Sequence, residues 1–112
     1  MTAAGTWTPV CAVTDLIPFR GAAALLPNDE QVAVFRTSGD EVYVLSNVDP
    51  FSGAAVLSRG IVGDLKGVPV VASPMHKQRF DLRTGACLDD PEVTVAVYPV
   101  RTADGMILVG SP

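Results

Sequence analysis

The chain has 112 residues, 48% of them hydrophobic, and a formal net charge of -4. A chain of this length is expected to form one domain over residues 1–112, with its core at about 6–110, burying roughly 60–70% of its unfolded surface. Twelve acids against eight bases, with no basic run, argue against nucleic acid or an anionic membrane as partner, since both require clustered Lys and Arg. A protein partner is the better expectation.

No apolar segment approaches the roughly 20 residues that cross a bilayer, and Met1-Thr2-Ala3-Ala4-Gly5 lacks the basic start and apolar stretch of a signal peptide, so a cytoplasmic location is expected. Cys11 and Cys87 are too few to suggest a disulfide framework. They read as reduced, small hydrophobes.

Short apolar runs rich in Val, Ile and Leu alternate with Gly, Pro, Asn and Asp, a pattern that predicts an all-β sandwich or barrel without a long helix. The first strands are expected at Thr6 to Val10, Gly21 to Leu26, Gln31 to Arg36 and Glu41 to Leu45. The last two are joined by Thr37-Ser38-Gly39-Asp40, where the glycine suits a tight hairpin. After Asn47 the pattern breaks through Asp49-Pro50-Phe51-Ser52-Gly53, and strands resume at Gly60 to Asp64, Pro69 to Ser73 and Gln78 to Leu82. Two more, Val93 to Val100 and Met106 to Val109, flank the Asp104-Gly105 turn and are expected to close the first sheet. Irregular loops at Asn47 to Leu57 and Ser73 to Gln78 are where function is expected on a rigid β scaffold.

The strand order, Gly53 and Leu57-Ser58-Arg59-Gly60 after the first loop, and Pro74, Phe80-Asp81-Leu82 and Thr84-Gly85 around the second, resemble the Rieske iron–sulfur fold. In that family one loop carries Cys-x-His and the other Cys-x-x-His, so that two thiolates hold one iron and two imidazoles the other. The resemblance places the first pair on Asp49 and Phe51 and the second on Ser73 and His76. A carboxylate, a phenyl ring and a hydroxyl then stand at three of those positions, and none replaces the family's ligand chemically. Counting reaches the same end without alignment: one His and two Cys cannot supply the four Cys and His ligands of a Rieske centre in this chain acting alone.

Asn47-x-Asp49-Pro50-Phe51, Val56-Leu57-Ser58-Arg59-Gly60, Val71-Ala72-Ser73-Pro74 and Lys77-Gln78-Arg79-Phe80 are together similar to the small subunits of assimilatory NADH-dependent nitrite reductase. That resemblance implies a Rieske-like domain without a 2Fe-2S cluster, and a large-subunit partner with FAD, an iron–sulfur cluster and siroheme that reduces nitrite to ammonium. The small subunit is expected to be non-catalytic and to stabilise or tune its partner. Rival readings are a Rieske-type electron-transfer ferredoxin, a free-standing cluster-less binding module of the same fold, and a small cupin-like enzyme, which one histidine cannot equip with metal ligands.

His76 reads as a loop residue rather than a catalytic imidazole, because the sequence nominates no orienting acid or nucleophile. Asp49 before Pro50 suits a turn in which its carboxylate accepts a backbone hydrogen bond. Phe51 either fills the space between the loops or anchors a partner, with the inward position favoured. Lys77, Arg79 and Arg83 gather positive charge by the second loop, giving a candidate interface of Phe51, Lys77, Arg79 and Arg83. Arg59 is expected to brace the loops through backbone carbonyls. No glycine pattern opens a helix, so nucleotide binding finds no support.

Overall fold

The run Val32-Ala33-Val34-Phe35 leaves no polar position for solvent, and both of its faces are buried. The computed structural model describes residues 7–27, 29–37, 41–75 and 77–110. Within them the strands are β1 (Trp7–Ala12), β2 (Arg20–Leu25), β3 (Gln31–Arg36), β4 (Val42–Ser46), β5 (Ile61–Leu65), β6 (Val68–Ala72), β7 (Arg79–Asp81), β8 (Val100–Ala103) and β9 (Met106–Gly110). The only helical pieces among the described residues are single 3-10 turns at Val13–Asp15 and Leu57–Arg59. Three antiparallel sheets result, ordered β1-β9-β8, β2-β3-β4 and β5-β6-β7.

Strand periodicity assigns β3 to two cores at once. Ala33 and Phe35 join Leu45, Leu57, Val71 and Phe80 on one face, while Val32 and Val34 join Val44, Ile107 and Val109 on the other. The β2-β3-β4 sheet is therefore the central layer, with a core on each side, and the expected all-β, Rieske-like fold is built from three small antiparallel sheets. As expected, Met106 to Val109 returns to the first strand: β9 lies between β1 and β8.

The turns follow from residue type. Lys66 and Gly67 have φ of 54° and 88°, and Asp104 and Gly105 have 53° and 78°, which in two-residue loops are the positive-φ pairs whose twist matches a hairpin. The expected β3–β4 hairpin also forms, with Arg36 opposite Val42 and the Thr37 N–H donating to the Glu41 carbonyl at 3.0 Å. Ser38, Gly39 and Asp40 of its turn lie outside the described residues, as does Thr6 ahead of β1.

The expected strand at Val93 to Val100 is corrected. That segment changes partners: Thr94 bridges Ala86, Val97 bridges Leu45, and regular pairing begins only at Val100, where β8 opens. Its alternation is real, but it is used to pass from one sheet to another rather than to lengthen either. The strand expected at Gln78 to Leu82 shortens to Arg79–Asp81 because the chain turns at Leu82–Thr84. Tyr98 pins the crossing segment by donating its hydroxyl to Glu30 Oε2 at 3.0 Å.

Gly85 has a φ of 79°, and a Cβ there would collide with the Val95 carbonyl oxygen; Gly85→Ala should cost at least about 1–3 kcal/mol in urea unfolding, from the backbone conformation alone. Burial, followed by the Glu30 hydrogen bond and charge, pushes the Tyr98 phenol up to about 12. A raised folded-state value means that the stability from neutral Tyr98 is complete below the ordinary tyrosine range and is lost as pH rises toward about 12. Tyr98→Phe should flatten that loss in melting temperatures measured across alkaline pH.

Candidate functional site

Two loops leave the same end of the sheets, one where β4 stops and one where β6 stops. Asn47 fixes the first: its Oδ1 accepts the Ser58 N–H at 2.7 Å, its carbonyl accepts the Leu57 N–H at 3.0 Å, and its own N–H donates to the Gln31 carbonyl at 3.0 Å. A buried amide with this many local partners sets where the loop begins and ends. Two residues on, Asp49 is completely buried and its Oδ1 accepts the Phe51 N–H at 2.8 Å, which is the turn-forming role expected for an Asp before a proline. The Gly53 N–H closes the turn on the Asp49 carbonyl at 2.7 Å.

The second loop is organised around Ser73. Its N–H donates to the Gln78 carbonyl and its carbonyl accepts the Lys77 N–H, both at 2.9 Å, while its Oγ accepts the Met75 N–H at 3.2 Å. Lys77 takes a φ of 64° to complete the turn. His76 lies outside the described residues. Gln78 Oε1 is a buried acceptor without a donor among the described residues, a cost held within this loop.

What joins the loops is a buried hydrogen bond from the Ser73 hydroxyl to Asp49 Oδ2. The two residues that the Rieske resemblance sets at cysteine positions are thus each other's partners. Sequence reasoning placed both residues but missed the bond, because nothing in the spacing says that a carboxylate and a hydroxyl 24 residues apart will meet.

The Phe51 ring packs against Phe80, with centroids 6.2 Å apart, yet 36% of the residue is exposed. It both packs inward and shows a face to solvent. Val48 and Met75, one on each loop, are also exposed, so the end of the molecule presents apolar side chains.

The positive patch expected from Lys77, Arg79 and Arg83 is corrected. Arg79 is held by Asp89 at 2.9 Å, and its own backbone N–H donates to the same carboxylate at 2.8 Å. That side-chain hydrogen bond moves the Arg79 guanidinium up and the Asp89 carboxyl below the ordinary range. Arg83 pairs with Asp81 at 3.1 Å. Burial of Asp81 opposes its ionisation, but the Arg83 side chain and the backbone N–H groups of Arg83 and Thr84 outweigh it and hold the carboxyl low. Among the described residues of this patch only Lys77 has no ion-pair partner. Arg59 does not brace the loops either: its backbone N–H donates to the Val56 carbonyl at 2.9 Å, but its guanidinium makes no hydrogen bond to a carbonyl among the described residues.

Cys11 and Cys87 are free thiols, in β1 and just after the turn beyond β7, and neither lies in the loops. Burial, with the nearby Asp15 charge, pushes the Cys11 thiol up. No group of three or more His, Cys, Asp or Glu side chains converges on one point among the described residues. No helix among them is long and apolar enough to cross a membrane.

The chain matches the Rieske-like 2Fe-2S domain family over residues 6–110. It is 44% identical over 102 residues to the nitrite reductase (NADH) small subunit of Escherichia coli K12, covering 90% of this chain and 94% of that one. The chain belongs to the Rieske-like nitrite reductase (NADH) small subunits. Its fold agrees with that of a Mycobacterium tuberculosis protein assigned as an NADH-dependent nitrite reductase small subunit, with a TM-score of 0.92, 54% identity and 96% of each chain covered. It is also 42% identical over 105 residues to a Klebsiella oxytoca protein named as the nitrite reductase NAD(P)H large subunit, 94% of this chain against 11% of that one. As a small subunit, the chain is part of an enzyme complex.

Membership raises the question of the cluster that names the domain family, and the loop residues do not fit it. Both Asp49 carboxylate oxygens are engaged, the Ser73 hydroxyl is spent on one of them, and the Phe51 ring has no donor atom. A thiolate-selective iron centre has no thiol in either loop.

If the Asp49–Ser73 bond holds the loops together, its removal leaves a buried carboxylate oxygen short of a donor. Ser73→Ala should cost about 1–3 kcal/mol. A cycle with Asp49→Asn should show coupling of at least about 1 kcal/mol by urea denaturation. Simple additivity would mean that the bond is not what joins the loops.

Proposed function

We propose that this chain is a cluster-free, non-catalytic subunit of a cytoplasmic NADH-dependent nitrite reductase, one domain across residues 1–112. It stabilises or tunes a large subunit whose FAD, iron–sulfur cluster and siroheme carry electrons from NADH to nitrite. The observation that supports this reading most directly is the buried Asp49–Ser73 hydrogen bond between the two loops. A donor and acceptor that satisfy each other there need no metal to hold them, and the side chains offer none of the thiolates that a Rieske cluster takes.

The partner assignment draws on the Klebsiella oxytoca protein, in which a stretch similar to nearly this whole chain lies within a protein named as a large subunit. In this reading the loop end is one contact with the large subunit, through the exposed face of Phe51 and the unpaired Lys77. Arg79 and Arg83 contribute less than their charge suggests, because each is already neutralised within the chain.

The test is direct. Freshly purified chain should be colourless, with iron far below one atom per chain, and a tagged copy should bring down a flavin- and siroheme-containing protein from cells grown on nitrite. Two irons per chain with Rieske-type visible absorption would overturn the cluster-free reading. Failure to recover that partner would overturn the assignment to it.

A further inference from the structure

The side of the molecule between β2 and β5 carries a second surface, apart from the Asp49 and Ser73 loops. Ile17-Pro18-Phe19-Arg20 forms a turn in which the Arg20 N–H donates to the Ile17 carbonyl at 3.0 Å and Phe19 takes a φ of 64°. Proline at the second position and positive φ at the third mark a type II turn, whose third position favours Gly or Asn. A bulky aromatic there is a backbone outlier, and outliers of this kind gather where function holds them. Phe19 is left 47% exposed.

Phe19 lines a groove of about 470 Å³ together with Ile61 at the start of β5, which is 78% exposed. Arg20, Ser58 and Arg59 line it and no acidic residue does. Neither Arg20 nor Arg59 has an ion-pair or hydrogen-bond partner for its guanidinium among the described residues. Arg36, opposite Arg20 in the β2–β3 register, does not add to this charge, because its guanidinium donates to the Val13 and Leu16 carbonyls and it does not line the groove. The groove across Phe19 is different in kind, with Glu41, Asp64 and Arg83 together on its walls.

In an acidic protein whose Arg79 and Arg83 are both neutralised internally, two free guanidiniums in one groove between two exposed apolar side chains are an unmatched charge with an unmatched apolar face. The chemistry complementary to both is an acidic peptide segment bearing an apolar side chain. We propose that the groove between Phe19 and Ile61 binds such a segment of the large subunit, its carboxylates on Arg20 and Arg59 and its apolar side chain between Phe19 and Ile61. This rests on the reading that the large subunit is the partner. The arginines supply orientation and salt dependence, and Phe19 and Ile61 supply the buried contact.

The experiment measures binding of the chain to purified large-subunit holoenzyme at several salt concentrations. The double variant Arg20→Glu, Arg59→Glu should bind at least about tenfold more weakly at low salt and lose most of the salt dependence. Phe19→Gly relieves the turn, so it should melt no lower than the unsubstituted chain and still bind several-fold more weakly, a combination that a purely structural Phe19 does not give. Charge-reversed chain that binds as tightly as the original, with the same salt slope, overturns the proposal while leaving the partner assignment intact. Unsubstituted chain that fails to bind the large subunit overturns both.

Discussion

The end of this molecule depends on one buried hydrogen bond, from the Ser73 hydroxyl to the Asp49 carboxylate. Two irregular loops leave the sheets side by side, and a completely buried carboxylate in one of them must find donors or forfeit its place. It finds the Phe51 N–H within its own loop and the Ser73 hydroxyl in the other, and Ser73 in turn accepts from Met75. Each bond thus sets both a turn and the distance between turns. A cluster would hold two such loops by metal–ligand bonds; here a carboxylate and a hydroxyl do so with weaker, directional ones. The Phe51 ring ties the same loop to the core by packing against Phe80.

That bond acts only because the sheets deliver its two residues to the same place. Asn47, tied to Gln31, Leu57 and Ser58, fixes the start of the first loop against the central sheet. Ser73 follows β6 directly, and β6 lies between β5 and β7 in the sheet that packs on the Phe35 and Leu45 face. The core shared by Phe35, Leu57, Val71 and Phe80 is what makes the loop geometry rigid.

Much of this was legible in the sequence, for reasons that differ between elements. β3 and β9 announce themselves by apolar residues between turn formers, and Asp104-Gly105 could do little but turn. The 93–99 segment was misread because alternation reports two-sided burial without saying which strand, or how many, lies alongside; this segment serves Ala86 and Leu45 in succession. Among site residues, Asp49, Phe51 and Ser73 were readable by position and Asp49 by its turn. Charge was not readable. Arg79 looked available until the chain beyond Thr84 turned back and set Asp89 against it, a contact decided by tertiary structure. The same limit hid Arg20 and Arg59, which lie 39 positions apart and share a groove only because β2 and β5 begin side by side.

If the chain carries no redox centre, as proposed, it affects a redox enzyme through contact alone, and this changes how its contribution depends on amount. An electron carrier visits its partner, transfers charge and leaves, so a small quantity serves many copies. A chain that binds only the folded form of its partner stabilises it by mass action, in proportion to the logarithm of its free concentration over Kd. Occupancy then saturates at one chain per site, the stabilisation rises only logarithmically beyond that, and both vanish on dilution. The loop end, with exposed Val48, Phe51 and Met75, and the groove that Phe19 and Ile61 line with Arg20 and Arg59 are the two surfaces such contact would use. The strained Phe19 turn belongs to the same logic. A conformation that costs stability in the free chain is retained when what it displays is used in the complex.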